Sequence, residues 1–139
     1  MKILITGGTG FIGSRLALRC QETRHSVKVL GQQNTTAEAQ NKSLLESRGI
    51  QVSLGSVADK EHVLKCVEGV DLVYHLAAAQ HEANVPDQRF WDVNVTGTRN
   101  VLEASLKARV RRLIHGSTIG VYGPSPEGFI SEGSPLTPD

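Results

Sequence analysis

The stretch Ile3-Leu4-Ile5-Thr6-Gly7-Gly8-Thr9-Gly10-Phe11-Ile12-Gly13-Ser14 decides the fold of this chain. It begins with an apolar run of strand length, continues through a glycine-rich turn and ends where helical spacing begins. Ile12, Leu16 and Cys20 fall four residues apart, so the pattern predicts that they share the buried face of a helix. A strand, a glycine turn and a helix in this order form the context in which such glycines bind a dinucleotide. A turn that merely links strand to helix is the plainer alternative.

The glycines of this turn are expected to have separate roles. Gly7 lets the chain turn sharply after the strand, Gly10 lets the backbone approach a pyrophosphate, and Gly13 lets the helix pack closely on the strand. The diphosphate would lie at the unpaired N–H groups and the positive dipole end of that helix. Phe11 and Ile12 stand in its first turn and are therefore candidate cofactor contacts as well.

Composition indicates one domain without a strongly charged surface. The 139 residues suffice for a single domain with a real core, so we expect one dinucleotide-binding domain over residues 1–139. A formal net charge of +1 favours neither nucleic acid nor an acidic membrane as a partner. No apolar run approaches the roughly 18 residues that cross a bilayer, and the start does not resemble a signal peptide. Cys20 and Cys66 suggest no disulfide or metal framework, so we expect a cytoplasmic setting and no metal.

Strand and helix patterns alternate along the rest of the chain. Apolar or alternating segments predict further strands at 25–30, 49–55, 71–76 and 112–115. Helical patterns lie between them at 35–48, 60–69 and about 88–108. Asp59 is placed to cap the second of these helices and Gly69 to close it. The alternation predicts an α/β fold with three layers, a doubly wound parallel sheet of Rossmann type with the strand order 3-2-1-4-5.

The loop after the second strand does not reveal which dinucleotide is bound. An acidic residue at this position selects the ribose 2′-hydroxyl of NAD, and an arginine nearby accommodates the 2′-phosphate of NADP. The chain has Gln32, Gln33 and Asn34 here, its next acid is Glu38, and no arginine or lysine follows the strand directly. Each of the three amides is able to hydrogen-bond a ribose, but an ordinary polar loop explains them equally well. The cofactor is NAD or NADP on this evidence.

Three segments resemble one family of enzymes. Residues 6–13 fit T-G-x-x-G-x-x-G, which resembles the nucleotide-binding motif of short-chain dehydrogenase/reductases, and Phe11-Ile12-Gly13 resembles their extended, epimerase/dehydratase-like branch. Residues 94–100 are similar to the signature N-V-x-G-T-x-N of that branch. Residues 75–78, His-Leu-Ala-Ala, also look like the family's fourth strand, within which we expect His75 to be a core or strand-end residue. The resemblance spans nearly the whole chain.

The resemblance also implies where the cofactor is held. Ser56 and Val57 stand where the family usually has Gly-Asp-(Leu/Val)-x-Asp; its first aspartate contacts adenine, so Ser56 implies a weaker or different side-chain contact. Asn94 would lie beside the nicotinamide half, although an asparagine that only bonds backbone in a bent helix is an equal alternative. The complete set of candidate cofactor residues is Gly7, Gly10, Phe11, Ile12, Gly13, Gln32, Ser56, Val57, Leu76, Ala77, Ala78, Ala79 and Asn94. The loop 80–87 is where a substrate pocket would borrow side chains such as Gln80, His81 and Glu82, although a solvated loop is the plainer description of each one.

A second strong resemblance follows the fifth strand. The extended branch has S-(S/T)-x-x-V-Y-G there, and its catalytic hydroxyl stands four residues before the tyrosine. Counting back from Tyr122 gives Thr118, with Ser117 as the second choice. This hydroxyl would orient the substrate oxygen and stabilise charge on it. The plainer alternative is a hydroxyl that satisfies backbone groups at a strand end.

The family's proton-transfer motif, Y-x-x-x-K, does not occur in these 139 residues. Tyr74 is followed four residues later by Ala78, and Tyr122 by Pro126. Residues 131–139 resemble the segment that leads into this motif, so we expect a chain cut before its acid/base, its sixth strand and its substrate-binding part. Its fifth strand would then be an unprotected sheet edge, and we expect the fragment either to be less stable than the parent or to associate along that edge.

The resemblance implies an NAD(P)-dependent epimerase, dehydratase or reductase that transfers hydride at a hydroxyl or carbonyl carbon. The expected substrate is a small molecule, most commonly a nucleotide sugar in this branch, and the parent protein would be a homodimer. A steroid-like or flavonol-like ketone is the rival substrate. A module that binds NAD(P) without turnover, or senses redox state, is the rival function. The 139 residues alone would bind nucleotide without transferring hydride.

Overall fold

The computed structural model describes residues 1–80, 86–123 and 129–137. Their centre is one sheet of five parallel strands in the order β3-β2-β1-β4-β5, as the sequence predicts. The strands are β1 Lys2–Thr6, β2 Ser26–Gly31, β3 Gln51–Leu54, β4 Leu72–His75 and β5 Arg112–His115.

Helices connect the strands and cover both faces of the sheet. They are α1 Phe11–Glu22, α2 Thr36–Ser47, α3 Lys60–Val67, α4 Asp87–Phe90 and α5 Thr98–Lys107, with a short 3-10 helix at Ile119–Tyr122. Residues Trp91–Gly97 join α4 to α5 as a π-helix. The long helix predicted at 88–108 is therefore present, but its first half is wound more widely than an α-helix, a feature often found at functional sites.

Two apolar clusters, one on each face of the sheet, form the core. Alternating side chains of a strand point to opposite faces, so Ile3 and Ile5 of β1 enter one cluster and Leu4 enters the other. The first cluster includes Ala17 and Cys20 of α1 and Leu45 of α2. The other is built with α3 and α5, through residues such as Val63, Val67, Val101 and Ala104. These three layers are the predicted architecture.

The predicted buried face of α1 is wrong at its first residue. Ile12 is 66% exposed, whereas Gly13, Ala17 and Cys20 are buried. The small residues Gly13 and Ala17 let the helix lie close against the sheet. With these residues on the buried face, Ile12 lies on the exposed side of the first turn. Leu16, also in α1, is partly buried and packs against the same apolar cluster as Ala17 and Cys20.

The ends of α2 and α3 follow their local sequence signals. Asp59 caps α3 by accepting a hydrogen bond from the His62 N–H at 3.0 Å, and Gly69 adopts a φ of 69° just beyond it. Thr35 and Glu38 form a reciprocal capping box at the start of α2. Within the described ranges no helix is long and apolar enough to span a membrane, and no cluster of potential metal ligands is found.

Candidate dinucleotide-binding site

The carboxyl ends of the parallel strands bring the predicted site residues to one edge of the sheet. Thr6 ends β1, Gly31 ends β2 and His75 ends β4 at this edge. Strand β1 lies between β2 and β4, so the strand order reverses at β1. Strands β2 and β3 extend the sheet on one side of it, and β4 and β5 extend it on the other. Ligands of open parallel sheets bind in the crevice at such a reversal of strand order.

The glycine turn packs tightly against the loop that follows β4. Gly7 has a φ of 68°, and a Cβ added to it would lie 2.8 Å from the Leu76 carbonyl and the Ala77 nitrogen. A Cβ on Gly13 would lie 2.6 Å from the Cα of Gly8 and would also strike the Gly7 carbonyl oxygen. The turn and the start of α1 are therefore held against the sheet at distances that only glycine permits, as the sequence predicts for Gly7 and Gly13.

The N-terminus of α1 is left without a side-chain cap. Gly10 is its N-cap residue and offers no side chain, and its first turn contains no acid. By contrast, Thr35 caps α2 and Asp59 caps α3 through their own side chains. The first N–H groups of α1 therefore have no side-chain acceptor and lie where a phosphate would complete the helix. Phe11 and Ile12 border this position, 72% and 66% exposed.

A buried hydrogen-bonded chain joins β1, β4 and α5 beneath the site. His75 is fully buried, its Nδ1 lying 2.7 Å from the Thr6 hydroxyl and its Nε2 2.9 Å from the Thr98 hydroxyl. The Thr6 hydroxyl also accepts the Ala77 N–H at 3.2 Å. In the neutral imidazole one ring nitrogen donates and the other accepts, so each of the two threonine hydroxyls satisfies one of them. The network fixes the backbone that leaves β4.

Burial, together with a smaller contribution from the nearby His115 ring, lowers the pKa of His75 to about 4. The two rings stack with their centroids 5.2 Å apart. His75 is thus neutral near pH 7 and structural, in agreement with its prediction as a core histidine.

Asn94 holds the same loop from the other side. Its Oδ1 accepts the Ala79 N–H at 2.8 Å and its Nδ2 donates to the Ala79 carbonyl at 3.0 Å. The π-helix that carries Asn94 ends at Gly97, where a Cβ would lie 2.5 Å from Val57 Cγ2. Asn94 therefore fixes loop backbone, and Gly97 lets the π-helix pack closely against Val57. Leu76, Ala77 and Ala79 are partly buried in this loop and Ala78 is exposed.

The residues predicted to hold adenine are turned mainly toward the protein. The Ser56 hydroxyl accepts the Ala58 N–H at 3.1 Å. Val57 is 4% exposed with its side chain in the core, and its carbonyl accepts a hydrogen bond from Asn100 Nδ2 at 3.0 Å. A cofactor would therefore contact Val57 through its backbone and not through its side chain.

A surface pocket of about 400 Å³ lies between the glycine turn and the start of α2. Beside it the Thr9 hydroxyl accepts the Gln32 N–H at 3.1 Å, and the Gln32 side chain accepts from Asn34 at 2.8 Å. Gln32 thus stays near the expected ribose position. Arg15 and Asn41 also line this pocket, and neither is singled out by the sequence, because each comes from a helix rather than from the loop after β2.

The predicted catalytic hydroxyls follow β5 at the same edge. Thr118 and Ser117 are exposed, and the Thr118 oxygen accepts the Gly120 N–H at 3.2 Å as it begins the 3-10 helix. Its O–H group is still able to donate to a substrate oxygen. Gln80 is exposed, while His81 and Glu82 lie outside the described residues.

Comparison with known proteins agrees with this architecture. A sequence model of the NAD dependent epimerase/dehydratase family matches residues 3–139. The chain belongs to this family. Its resemblance to the extended short-chain dehydrogenase/reductases is thereby confirmed.

Individual relatives in the family differ in what they act on. A UDP-glucose 4-epimerase of Streptomyces lividans is 34% identical over 99% of this chain and 42% of its own length. A protein of Methylococcus capsulatus named sterol demethylase protein B is 29% identical over 99% of this chain and 40% of its own length. The structure of a dTDP-glucose 4,6-dehydratase from Streptomyces venezuelae, solved with NAD bound, superposes with a TM-score of 0.86 at 30% identity and covers 99% of this chain and 46% of that one. The chain spans less than half the length of each relative.

Proposed function

We propose that this chain binds NAD(P) at the carboxyl edge of its sheet and serves hydride transfer at a hydroxyl or carbonyl carbon of a small molecule. The observation that carries the proposal is the uncapped N-terminus of α1 beneath a glycine turn, whereas α2 and α3 are capped by their own side chains. The glycine turn and the start of α1 are held in close contact with neighbouring backbone, because a side chain on Gly7 or Gly13 would strike it. The structural neighbour from Streptomyces venezuelae, solved with NAD bound, supports a nicotinamide dinucleotide as the ligand.

The protein side of the reaction is positioning and hydrogen bonding. When bound, the nicotinamide ring supplies or accepts the hydride. The start of α1 binds the diphosphate, and Asn94 and the His75 network fix the loop at 76–79 against which the other half of the cofactor lies. The Thr118 hydroxyl donates to the substrate oxygen, orients it and stabilises the charge that develops there, with Ser117 as the alternative donor.

A nucleotide sugar is the substrate class we propose first. The epimerase of Streptomyces lividans and the dehydratase of Streptomyces venezuelae are both named for such substrates. A sterol-like or other apolar ketone is the second candidate, and the relative from Methylococcus capsulatus favours it. The resemblance further implies a cytoplasmic homodimer, which we include in the proposal.

A binding module without turnover is a second candidate function. It is favoured by Ser56 in place of the family's aspartate and by Gly31 at the end of β2, where no acid is present for the ribose. Cofactor binding is common to both functions, so only turnover separates them.

Thr118 provides the test of catalysis. We expect Thr118→Val to lower kcat for a nucleotide-sugar substrate about 100-fold, with the Kd for the cofactor unchanged, while Thr118→Ser retains most activity because it keeps the hydroxyl. Steady-state kinetics and calorimetric titration of the full-length protein measure the two quantities. Ser117→Ala tests the alternative donor and should lower kcat far less than Thr118→Val. A larger loss in Ser117→Ala than in Thr118→Val would reassign the donor, and cofactor binding without turnover on sugar or ketone panels would favour the binding module.

A further inference from the structure

The pocket between the glycine turn and α2 has one residue of each charge. Among the described residues that line it, Arg15 is the cation and Glu38 the carboxylate. Thr9, Thr35 and Asn41 supply the main polar groups around them. The pocket adjoins Gln32 at the end of β2, the position at which a dinucleotide-binding fold reads the adenosine ribose.

Thr9 excludes an acid from the end of β2. A Cβ added to Gly31 would lie 2.7 Å from the Thr9 Cγ2 atom and would strike the hydroxyl of the same side chain. Asn41 Nδ2 in turn donates to the Thr9 carbonyl at 2.8 Å and fixes that residue. The carboxylate that would select a 2′-hydroxyl and repel a 2′-phosphate is thus absent, and its space is filled.

The carboxylate that remains is already occupied. Glu38 Oε2 accepts the N–H groups of Asn34 at 2.7 Å and of Thr35 at 3.0 Å. The bond from the Thr35 N–H completes the capping box of α2, so these contacts hold the carboxylate at the start of that helix.

Arg15 keeps most of its donors. Its exposed guanidinium lies 4.0 Å from the centroid of the Phe11 ring and donates from Nη1 to the Phe11 carbonyl at 3.0 Å and, more weakly, to the Ser14 hydroxyl at 3.5 Å. A guanidinium has five N–H donors in a planar fork that matches a phosphate, so several remain for a ligand. The ring beneath it holds the group near the pocket.

We propose that Arg15 is a specificity-determining residue that binds the 2′-phosphate of NADP, so that the site takes NADP in preference to NAD. This inference rests on the dinucleotide binding proposed above. The sequence alone conceals it, because the cation comes from α1 rather than from the segment after β2. The opposite outcome, in which the second oxygen of Glu38 reads the 2′-hydroxyl of NAD, is decided by the same experiment.

Calorimetric titration of the full chain with NAD and with NADP tests the proposal. We expect the wild type to bind NADP at least about tenfold more tightly than NAD, and Arg15→Met to weaken NADP binding by about tenfold or more, because a charge-assisted bond is lost. Binding of NAD should change by less than about twofold, since it lacks the phosphate. Arg15→Lys should retain part of the NADP affinity, and Glu38→Gln, which keeps a capping-box residue, should raise it.

Arg19→Met is the matched control. It removes an exposed cation from the same helix, where Arg19 pairs with Glu22, and should leave both affinities unchanged. Thermal unfolding of each variant shows whether it is folded. Tighter binding of NAD by the wild type, or equal losses for both cofactors in Arg15→Met, would overturn the role of Arg15. Failure of the folded wild type to bind either dinucleotide would instead overturn the proposed function.

Discussion

At the scale of single residues, His75 connects the stability of the fold to the loop beneath the cofactor. It is buried between two threonine hydroxyls that come from β1 and α5, and the Ala77 N–H completes the same network. Protonating the ring would turn its one acceptor nitrogen into a donor and place a charge in the core beside His115. The folded protein therefore resists protonation of His75.

We expect the lowered pKa of His75 to reduce the free energy of unfolding in mild acid. Burial lowers its pKa from 6.5 to about 4, so between these values the unfolded chain binds the proton and the folded chain does not. Stability then falls as the pH falls from about 6.5 toward 4, by up to about 3 kcal/mol from this group. Below pH 4 both states are protonated and the contribution is constant. Urea unfolding at pH 4–7 measures this dependence.

His75→Gln is the comparison that isolates the histidine. Glutamine retains hydrogen-bonding groups but does not titrate, so the variant should be less stable at pH 7 and should show a shallower slope between pH 4 and 6.5. Carboxyl groups titrate in both proteins and cancel in the difference. Parallel curves for the two proteins would contradict the assignment.

Residue types could be predicted from the sequence more readily than their partners. That His75 belongs to the core follows from its place in an apolar strand, but Thr6 and Thr98 are 69 and 23 residues away along the chain, and no local pattern reports them. Ile12 shows the opposite error, because a spacing of four residues cannot fix the rotation of α1 against the sheet when the contact is made through small residues.

At the scale of elements, the glycine turn acts through crowding as well as through its backbone angles. Gly7 and Gly49 have φ values of 68° and 76°, so alanine would be strained at either position. Only at Gly7 would the added Cβ also meet the backbone of residues 76 and 77, while nothing lies within 4 Å at Gly49. The two positions therefore separate strain from packing.

Gly7→Ala should cost far more than Gly49→Ala. We expect Gly49→Ala to lower the free energy of unfolding by about 1–2 kcal/mol, the cost of a left-handed residue. Gly7→Ala should cost about 3 kcal/mol or more, because it adds a clash with the loop after β4, and it should abolish cofactor binding. Denaturant unfolding and calorimetric titration measure these effects. Equal costs for both variants would show that crowding at Gly7 is relieved without penalty.

Most element boundaries could be predicted because local signals set them. Strand β5 occupies 112–115 as predicted, and α2 begins at Thr36, one residue after its predicted start. The π-helix at Trp91–Gly97 could not be predicted, since its apolar spacing also fits an α-helix. What distinguishes it is tertiary, namely the two bonds from Asn94 to Ala79 and the contact of Gly97 with Val57.

At the scale of the whole molecule, the strand order and the site edge could be predicted together. Parallel strands with helical crossovers place their carboxyl ends at one edge, and right-handed connections leave few possible orders. The pocket beside Arg15 could not be predicted in this way, because it depends on how α1 and α2 approach each other.

The outer edge of the sheet leads to a prediction about assembly of the 139-residue chain alone. In the described part of the chain, β5 pairs with β4 only, and Ile114 is 39% exposed. A groove of about 420 Å³ lies beside it, lined by residues that include Leu102 and Leu106 of α5, which are 49% and 82% exposed. An unpaired strand next to exposed leucines favours pairing between copies.

We therefore expect this chain to associate as its concentration rises, and Ile114→Lys to shift it toward monomer because a charge on an edge strand opposes pairing. Sedimentation equilibrium over a range of concentrations measures the association. Leu44→Lys is the matched control. Leu44 is 41% exposed on α2, the helix that precedes β3, and β3 lies at the opposite edge of the sheet from β5. If Leu44→Lys dissociates the chain as effectively as Ile114→Lys, association is a general effect of exposed apolar side chains and not of the β5 edge. A wild-type chain that stays monomeric and unfolds cooperatively with high stability would contradict this prediction.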